Sequence, residues 1–224
     1  VDELIDSLIV KSANDAAVAI AEKISGSEKK FVIKMNNYAK KLNLENTTFA
    51  NPHGLPNRAN LSSAYDIFKL SSKIIKDFPQ QLHRFKKTKV KIKGKNYTTH
   101  NTLLKKYDHY IGLKTGYIRK SGFQISLLSI NGDNYLLGIY FGGNSAKERN
   151  NKINFLMNKY RNEDASKNKE TKKLTVKNEK RNTSNFSVQT SSFKKISKSK
   201  IHITLLKNKI KILRSFEHQI KKNG

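Results

Sequence analysis

A chain of 224 residues in which 45 Lys and Arg face 17 Asp and Glu carries a formal charge of +28, and the excess is spread along its whole length. That length fits one mid-sized domain with an appendage, or two small domains. The charge admits nucleic acid, an anionic membrane surface or an acidic polymer as partners, although lysine, asparagine and isoleucine abound everywhere, as AT-rich coding DNA would produce, and most of the charge is assigned to that bias.

The absence of cysteine excludes disulfides, thiolate nucleophiles and Cys-based metal sites. Six scattered histidines show no His-Glu-x-x-His or His-x-His spacing, so neither a metal nor any other cofactor is expected. No run of ~18 or more apolar residues is present to span a bilayer. Val1-Asp2-Glu3-Leu4 lacks an initiator Met and has acids where a signal peptide would have lysines, so the chain is expected to begin inside a longer protein.

Residues 1–24 place Leu4, Leu8, Ala16, Ala17, Ile20, Ala21 and Ile24 at helical spacing. Val10-Lys11-Ser12-Ala13-Asn14-Asp15 interrupts them, because Ser and Asn side chains compete for backbone groups inside a helix. Between two close-packed alanine-rich pieces, such a loop would present a hydroxyl and an amide in fixed geometry; the alternative is that Ser12 or Asn14 merely caps the second piece. Gly26 ends that piece, a further helix covers residues 27–42, and Pro52 and Gly54 shape a loop over residues 43–55. Ser63 with Asp66 three residues on reads as a capping box opening a helix to residue 75, closed by Phe78-Pro79.

The period then changes. Val90 and Ile92, a Gly94-Lys95 turn and Tyr97-Thr98-Thr99 form a hairpin. Next comes the apolar run Tyr110-Ile111-Gly112-Leu113, ending in Lys114-Thr115-Gly116. Strands over residues 123–130 and 135–141 follow, joined by an Asn131-Gly132-Asp133-Asn134 turn. A last helix over residues 145–160 carries Ile153, Leu156, Met157 and Tyr160 on one face. Helices, then an antiparallel sheet, then a helix packed back on it define an α+β fold.

On a strand edge, Lys114 would attract an anionic substrate end, the Thr115 hydroxyl would hydrogen-bond it, and Gly116 would let a substrate backbone lie close. Lys-Thr-Gly alone is a weak signal. Its order after Ser12-x-Asn14 resembles the second and third elements of the active-site-serine penicillin-recognising enzymes. The surrounding text narrows the match. Residues 8–17 around Ser12, the loop Asn46-Thr47-Thr48-Phe49-Ala50-Asn51-Pro52-His53-Gly54-Leu55, His100-Asn101-Thr102-Leu103-Leu104 and Gly112-Leu113-Lys114-Thr115-Gly116 together resemble the low-molecular-mass D-alanyl-D-alanine carboxypeptidases, serine peptidases that trim peptidoglycan stem peptides. The resemblance covers about residues 3–160.

It implies a penicillin-binding, transpeptidase-like fold, incomplete here. Lys114 and Thr115 would hold the terminal carboxylate of D-Ala-D-Ala. Ser12 would relay a proton to the leaving D-alanine with Lys11 nearby, and Asn14 would bind the substrate amide. Gly116 would line the rail, and the Tyr117 main-chain N–H would serve as an oxyanion donor. Members often carry His where Tyr117 stands and Thr where Ile118 stands, a departure that a backbone donor tolerates. The larger departure is Ser-x-x-Lys, which supplies the family's nucleophile and its activating lysine upstream of Ser-x-Asn. No such motif precedes Ser12, and later matches such as Ser27-Glu28-Lys29-Lys30 and Ser166-Lys167-Asn168-Lys169 are chance occurrences in a lysine-rich chain. Without nucleophile and base, acylation should fall by roughly a millionfold. β-Lactams would bind covalently only once that segment is restored. The segment would also carry the fold's central helix and flanking strands, so the remaining sheet is expected to expose apolar surface.

After Tyr160, residues 161–185 read as a basic disordered linker. Residues 186–193 alternate as a strand, and from about residue 198 a helix would put Leu206, Ile210, Leu213, Phe216 and Ile220 on one face. Residues 186–224 resemble the first half of a SPOR-type peptidoglycan-binding module, or else form an amphipathic basic helix for an anionic membrane surface. The expected protein is a periplasmic carboxypeptidase fragment, peripheral to the inner membrane if the tail anchors it. The alternative is a non-catalytic peptidoglycan or membrane-surface binder. No aromatic-basic motif supports specific nucleic-acid binding.

Overall fold

In the computed structural model, which describes residues 1–131, 134–171 and 201–206, a helical half precedes an antiparallel sheet. Helix α1 (Asp2–Asp6) runs into a π-helical turn (Ser7–Lys11), and α2 (Asn14–Ser25) starts beyond the break at Ser12 and Ala13. Gly26, at φ 75°, closes α2 in the left-handed conformation that a helix end demands and glycine adopts without strain. Ser27 caps α3 (Glu28–Lys41), its hydroxyl accepting from the Lys30 N–H.

Ser63 caps α4 (Ala64–Asp77) in the same way, accepting from the Asp66 N–H. Only this half of the expected capping box forms. The fully buried Asp66 carboxylate turns to the preceding loop instead, accepting from the Asn46 N–H and the Thr47 hydroxyl, both at 2.8 Å. Asn36 ties down the same loop through bonds with the Phe49 carbonyl and N–H, and Thr48 pairs with Leu61. Two short elements follow that periodicity could not reveal, a 3-10 turn (Pro79–Gln81) and α5 (Leu82–Lys86).

The hairpin forms between β1 (Lys89–Ile92) and β2 (Lys95–Thr98), with its turn one residue earlier than expected. Lys93 and Gly94 both have positive φ, as a two-residue turn matching the strand twist requires. After α6 (Leu103–Lys106), the main sheet runs in the order β3 (Tyr110–Ile118), β4 (Gly122–Asn131), β5 (Asn134–Gly143), β6 (Ile201–Leu206), all antiparallel neighbours. Helix α7 (Ala146–Thr171) covers one face, so the helix expected to stop at residue 160 continues to Thr171, into the stretch read as linker.

The expectation of an apolar sheet left open is corrected. On the α7 side Tyr110, Ile125, Leu127 and Tyr140 pack with Ile153 and Met157; on the other, Leu113, Leu128, Leu137 and Ile139 pack with Ala64 and Ile75 of α4 and Leu82 of α5. Leu127, Leu128, Leu137, Ile139 and Tyr140 are 0% exposed, and each such side chain contributes roughly 1.5–3 kcal/mol. The long edge of β5 is lined from Tyr135 to Tyr140 by β6. Residues 201–206 are thus a strand where a helix was expected, while the strand over residues 186–193 and the rest of that helix lie outside the described residues.

Acids of α1 lock the helical half to α5 and the hairpin. The Asp6 carboxylate accepts from Arg84 Nη1 at 2.9 Å and Lys87 Nζ at 2.5 Å, Asp2 pairs with Arg84, and a Glu3 oxygen accepts from the Lys93 N–H at 3.3 Å. Burial alone would raise the Asp6 carboxyl, but the hydrogen bonds and charges of Lys87 and Arg84 outweigh it and hold the group below its ordinary range.

Candidate active site

The π-helical turn sets the first half of the site. Its wider ring lets the Ser7 carbonyl accept both the Ser12 N–H and, at 3.3 Å, the Ala13 N–H. The chain thereby leaves the helix at Ser12 in the left-handed region, φ 60° and ψ 43°. For a residue with a Cβ this costs on the order of 1 kcal/mol, and it recurs where function fixes the backbone. Buried Val10, Ala16, Ala17 and Ala21 fasten the turn on both sides, their small size allowing close approach.

The second half is set by another local irregularity. The β3–β4 register shifts between Gly112 and Lys114, leaving Leu113 as a bulge. Leu113 goes into the core and Lys114 comes opposite Ser126, which the Ser71 hydroxyl meets at 3.0 Å. At Gly112 an added Cβ would lie 2.5 Å from Asn101 Nδ2, so any side chain there would have to displace the buried Asn101 amide. Asn101 and Thr102, read only as an approach to the third motif, thus brace β3 from behind, and Asn150 of α7 donates to the Thr102 hydroxyl at 2.8 Å.

These irregularities bring together residues 102 positions apart: Lys114 Nζ donates to Ser12 Oγ at 2.8 Å and to the Thr115 carbonyl at 2.7 Å. No carboxylate pairs with Lys114 among the described residues. Burial, and secondarily the charge of Arg149, pushes its ammonium down from the ordinary 10.5 to about 8. Arg149, which the sequence reading missed, is 2% exposed near the start of α7. Its Nε and Nη2 donate to Asn150 Oδ1 at 3.0 and 2.9 Å and its Nη1 to the Gln124 carbonyl at 3.3 Å, again with no ion pair among the described residues. Lys114 and Arg149 are thus two partly desolvated cations with no acidic partner among the described residues, an arrangement that leaves their charge uncompensated. Because Lys114 occupies a lone pair of Ser12 Oγ, the Ser12 O–H is free to point elsewhere.

The other expected residues are placed as follows. Thr115 follows Lys114 on the edge strand β3, half-buried, its hydroxyl unbonded to protein among the described residues. At Gly116 an added Cβ would lie 3.0 Å from Gln124 Oε1, so the surface there stays low. Tyr117 is exposed and its ring packs at 4.3 Å on Phe123, its cross-strand partner. Asn14 opens α2 with its side chain exposed and unbonded among the described residues, and Ala13 is the N-cap without a side-chain bond, so neither Ser12 nor Asn14 caps that helix. Lys11 makes no hydrogen bond to Ser12 or Lys114; its ammonium lies 5.2 Å above the Tyr97 ring of β2. No group of three or more potential metal ligands occurs among the described residues.

A family model described as D-alanyl-D-alanine carboxypeptidase matches residues 1–143. Curated relatives include DacD of Salmonella typhimurium, 39% identical over 150 residues, covering 66% of this chain and 38% of the relative. DacF of Bacillus subtilis is 35% identical over 159 residues, covering 68% and 40%. The chain thus spans about two fifths of the length of these two relatives. Among solved structures, penicillin-binding protein 6B of Escherichia coli superposes with a TM-score of 0.67 at 37% identity, covering 70% of this chain and 50% of that one. Penicillin-binding protein 5 of Haemophilus influenzae gives 0.68 at 31% identity, covering 70% and 46%.

Proposed function

The chain belongs to the D-alanyl-D-alanine carboxypeptidase family of serine peptidases, and from that premise we propose that residues 1–160 form the carboxylate-binding and proton-relay half of an active site for peptidoglycan stem peptides ending in D-Ala-D-Ala. The observation that carries this is the 2.8 Å contact between Lys114 and Ser12, made by a partly buried ammonium without an acidic partner among the described residues.

The terminal carboxylate takes the place of that missing acid, bridging Lys114 and Arg149 with Thr115 as hydroxyl donor; charge-assisted bonds of this kind are about twice as strong as neutral ones. Anchored there, the scissile amide lies along β3 past Gly116, beside the Ser12 hydroxyl. Ser12 passes its proton to the departing D-alanine nitrogen and takes one from Lys114, whose Nζ already donates to Ser12 Oγ at 2.8 Å. Asn14, exposed and unbonded at the helix start, is the donor for the substrate backbone, and the Tyr117 N–H is assigned to the oxyanion. Covalent chemistry, including acylation by a β-lactam, requires a nucleophilic serine, a role that we assign to none of residues 1–224. A cell-wall substrate places the protein in the periplasm, with the basic tail against the inner membrane.

The test joins residues 1–160 to the Ser-x-x-Lys segment of the Escherichia coli DacD relative, 39% identical over the shared region. The hybrid should take up fluorescent penicillin and release D-alanine from a pentapeptide, and Lys114→Ala should abolish release. Release that survives Lys114→Ala would refute the assignment.

A further inference from the structure

One cation beside this site has no role in the carboxylate rail. Lys11 immediately precedes Ser12, is half-buried, and holds its ammonium over the face of Tyr97. An aromatic face orients a cation without neutralising it. The acids of the same stretch of chain have other partners. Asp2 and Asp6 are bound to Arg84 and Lys87, Glu3 accepts from the Lys93 N–H, and Asp15 Oδ1 accepts from the Ala16 N–H at 2.9 Å. The hairpin that presents Tyr97 adds Lys89, Lys91, Lys93 and Lys95, all on exposed positions. Lys11 is therefore a cation next to Ser12 that is hydrogen-bonded to neither Ser12 nor Lys114, on the side of the lysine-rich hairpin. With its C-terminal carboxylate held by Lys114 and its scissile amide beside Ser12, a peptide brings residues of its remaining length to the neighbour of Ser12, Lys11.

We propose that Lys11, held on Tyr97, is a specificity-determining residue that receives a second free carboxylate of the substrate, on the residue preceding the two D-alanines. The preferred substrate class is thus a stem peptide with an acidic third residue, and one whose corresponding carboxyl is amidated is a poorer ligand. This rests on the D-Ala-D-Ala reading of the Lys114 site.

The test measures binding to the full chain by isothermal titration with two N-acetyl peptides ending in D-Ala-D-Ala, differing only in L-glutamate or L-glutamine before the D-alanines. The wild type should prefer the glutamate peptide by roughly fivefold, as an added ion pair of partly exposed groups gives, and lose the preference in ~1 M salt. Lys11→Gln should bring the ratio to about one, Lys11→Arg should keep it, and Lys23→Gln, on the exposed end of α2, should leave it unchanged. If Lys11 only pins the hairpin through Tyr97, Lys11→Gln weakens both peptides alike, and that unchanged ratio overturns the proposal. Equal binding of the two peptides by the wild type overturns it while leaving the D-Ala-D-Ala reading intact. Failure of both peptides to bind overturns the reading and the inference together.

Discussion

Binding of a D-Ala-D-Ala peptide should be accompanied by uptake of a proton in mildly alkaline solution. Burial and Arg149 bring the Lys114 ammonium to about 8, so at pH 9 most molecules carry it neutral. A carboxylate bound against it favours the charged form and returns the value toward the ordinary 10.5. That restoration is worth up to ~3 kcal/mol, an upper limit because Lys114 is not wholly enclosed. Affinity should then be flat below pH 7 and fall by roughly 100-fold between pH 7 and pH 10, following the loss of the proton from the free protein. Titration calorimetry of acetyl-D-Ala-D-Ala at pH 9, in two buffers of different ionisation enthalpy, should show close to one proton taken up per peptide. The same linkage fixes the stability of the unliganded chain. The unfolded lysine binds its proton up to about 10.5 and the folded one only to about 8, so stability contributed by this group rises with pH through that window. Arg149→Gln removes the secondary cause of the depression and should shift the break in affinity to higher pH while weakening binding overall. Affinity independent of pH from 7 to 10, with no proton uptake, would refute the assignment of Lys114 to the carboxylate.

Asp6→Asn should destabilise the chain by about 1–3 kcal/mol, because Arg84 and Lys87 lose a charged acceptor in a buried position; urea denaturation at pH 7 measures it. Since the Asp6 carboxyl is held below its ordinary 3.8, its contribution is present above about pH 4 and lost as pH falls through the depressed value, so the difference between wild type and variant should vanish in acid. Gly138→Ala introduces a Cβ 2.8 Å from Ile153 Cδ1 and Met157 Sδ. Both are ends of flexible side chains that can give way, so the expected cost is about 1–3 kcal/mol in thermal unfolding rather than loss of the fold.

Much of this architecture was legible because local rules and tertiary packing agree. Ser27 and Ser63 cap the helices they precede, Gly26 ends α2, and the strands on either side of the Asn131-Gly132 turn extend only one or two residues beyond their expected bounds. Misreadings occurred where one residue serves two neighbours. Asp66 has the spacing of a capping-box partner, but its carboxylate is needed by the loop at Asn46 and Thr47, an interaction 20 residues away in sequence. The π-helical turn and the Leu113 bulge each add a residue to a regular element without changing its hydrophobic pattern, so nothing in the periodicity marks them. Arg149 looks like one more base on a polar helix turn. Only the chain's return over β4 buries it beside Lys114, and a buried arginine without an acid is a signal that exists in three dimensions alone.

Both halves of the site are built by the same device. A π-helical turn throws Ser12 out of a helix into the left-handed region, at a cost of order 1 kcal/mol, and a bulge shifts Lys114 in strand register; both are held by packing around them. Val10, Ala16 and Ala17 clamp the first, Leu113 and the Ser71–Ser126 pair the second, and the ion pairs from Asp2 and Asp6 to α5 keep the two halves in register. An ammonium and a hydroxyl held 2.8 Å apart by such independent anchors need little reorganisation when a substrate arrives, and that is where preorganised electrostatics act most effectively. The cost is carried by the folded chain, as a lysine kept partly dry beside an arginine. In the proposed function a carboxylate relieves it, so the burial that depresses Lys114 is also what would favour an anionic peptide end.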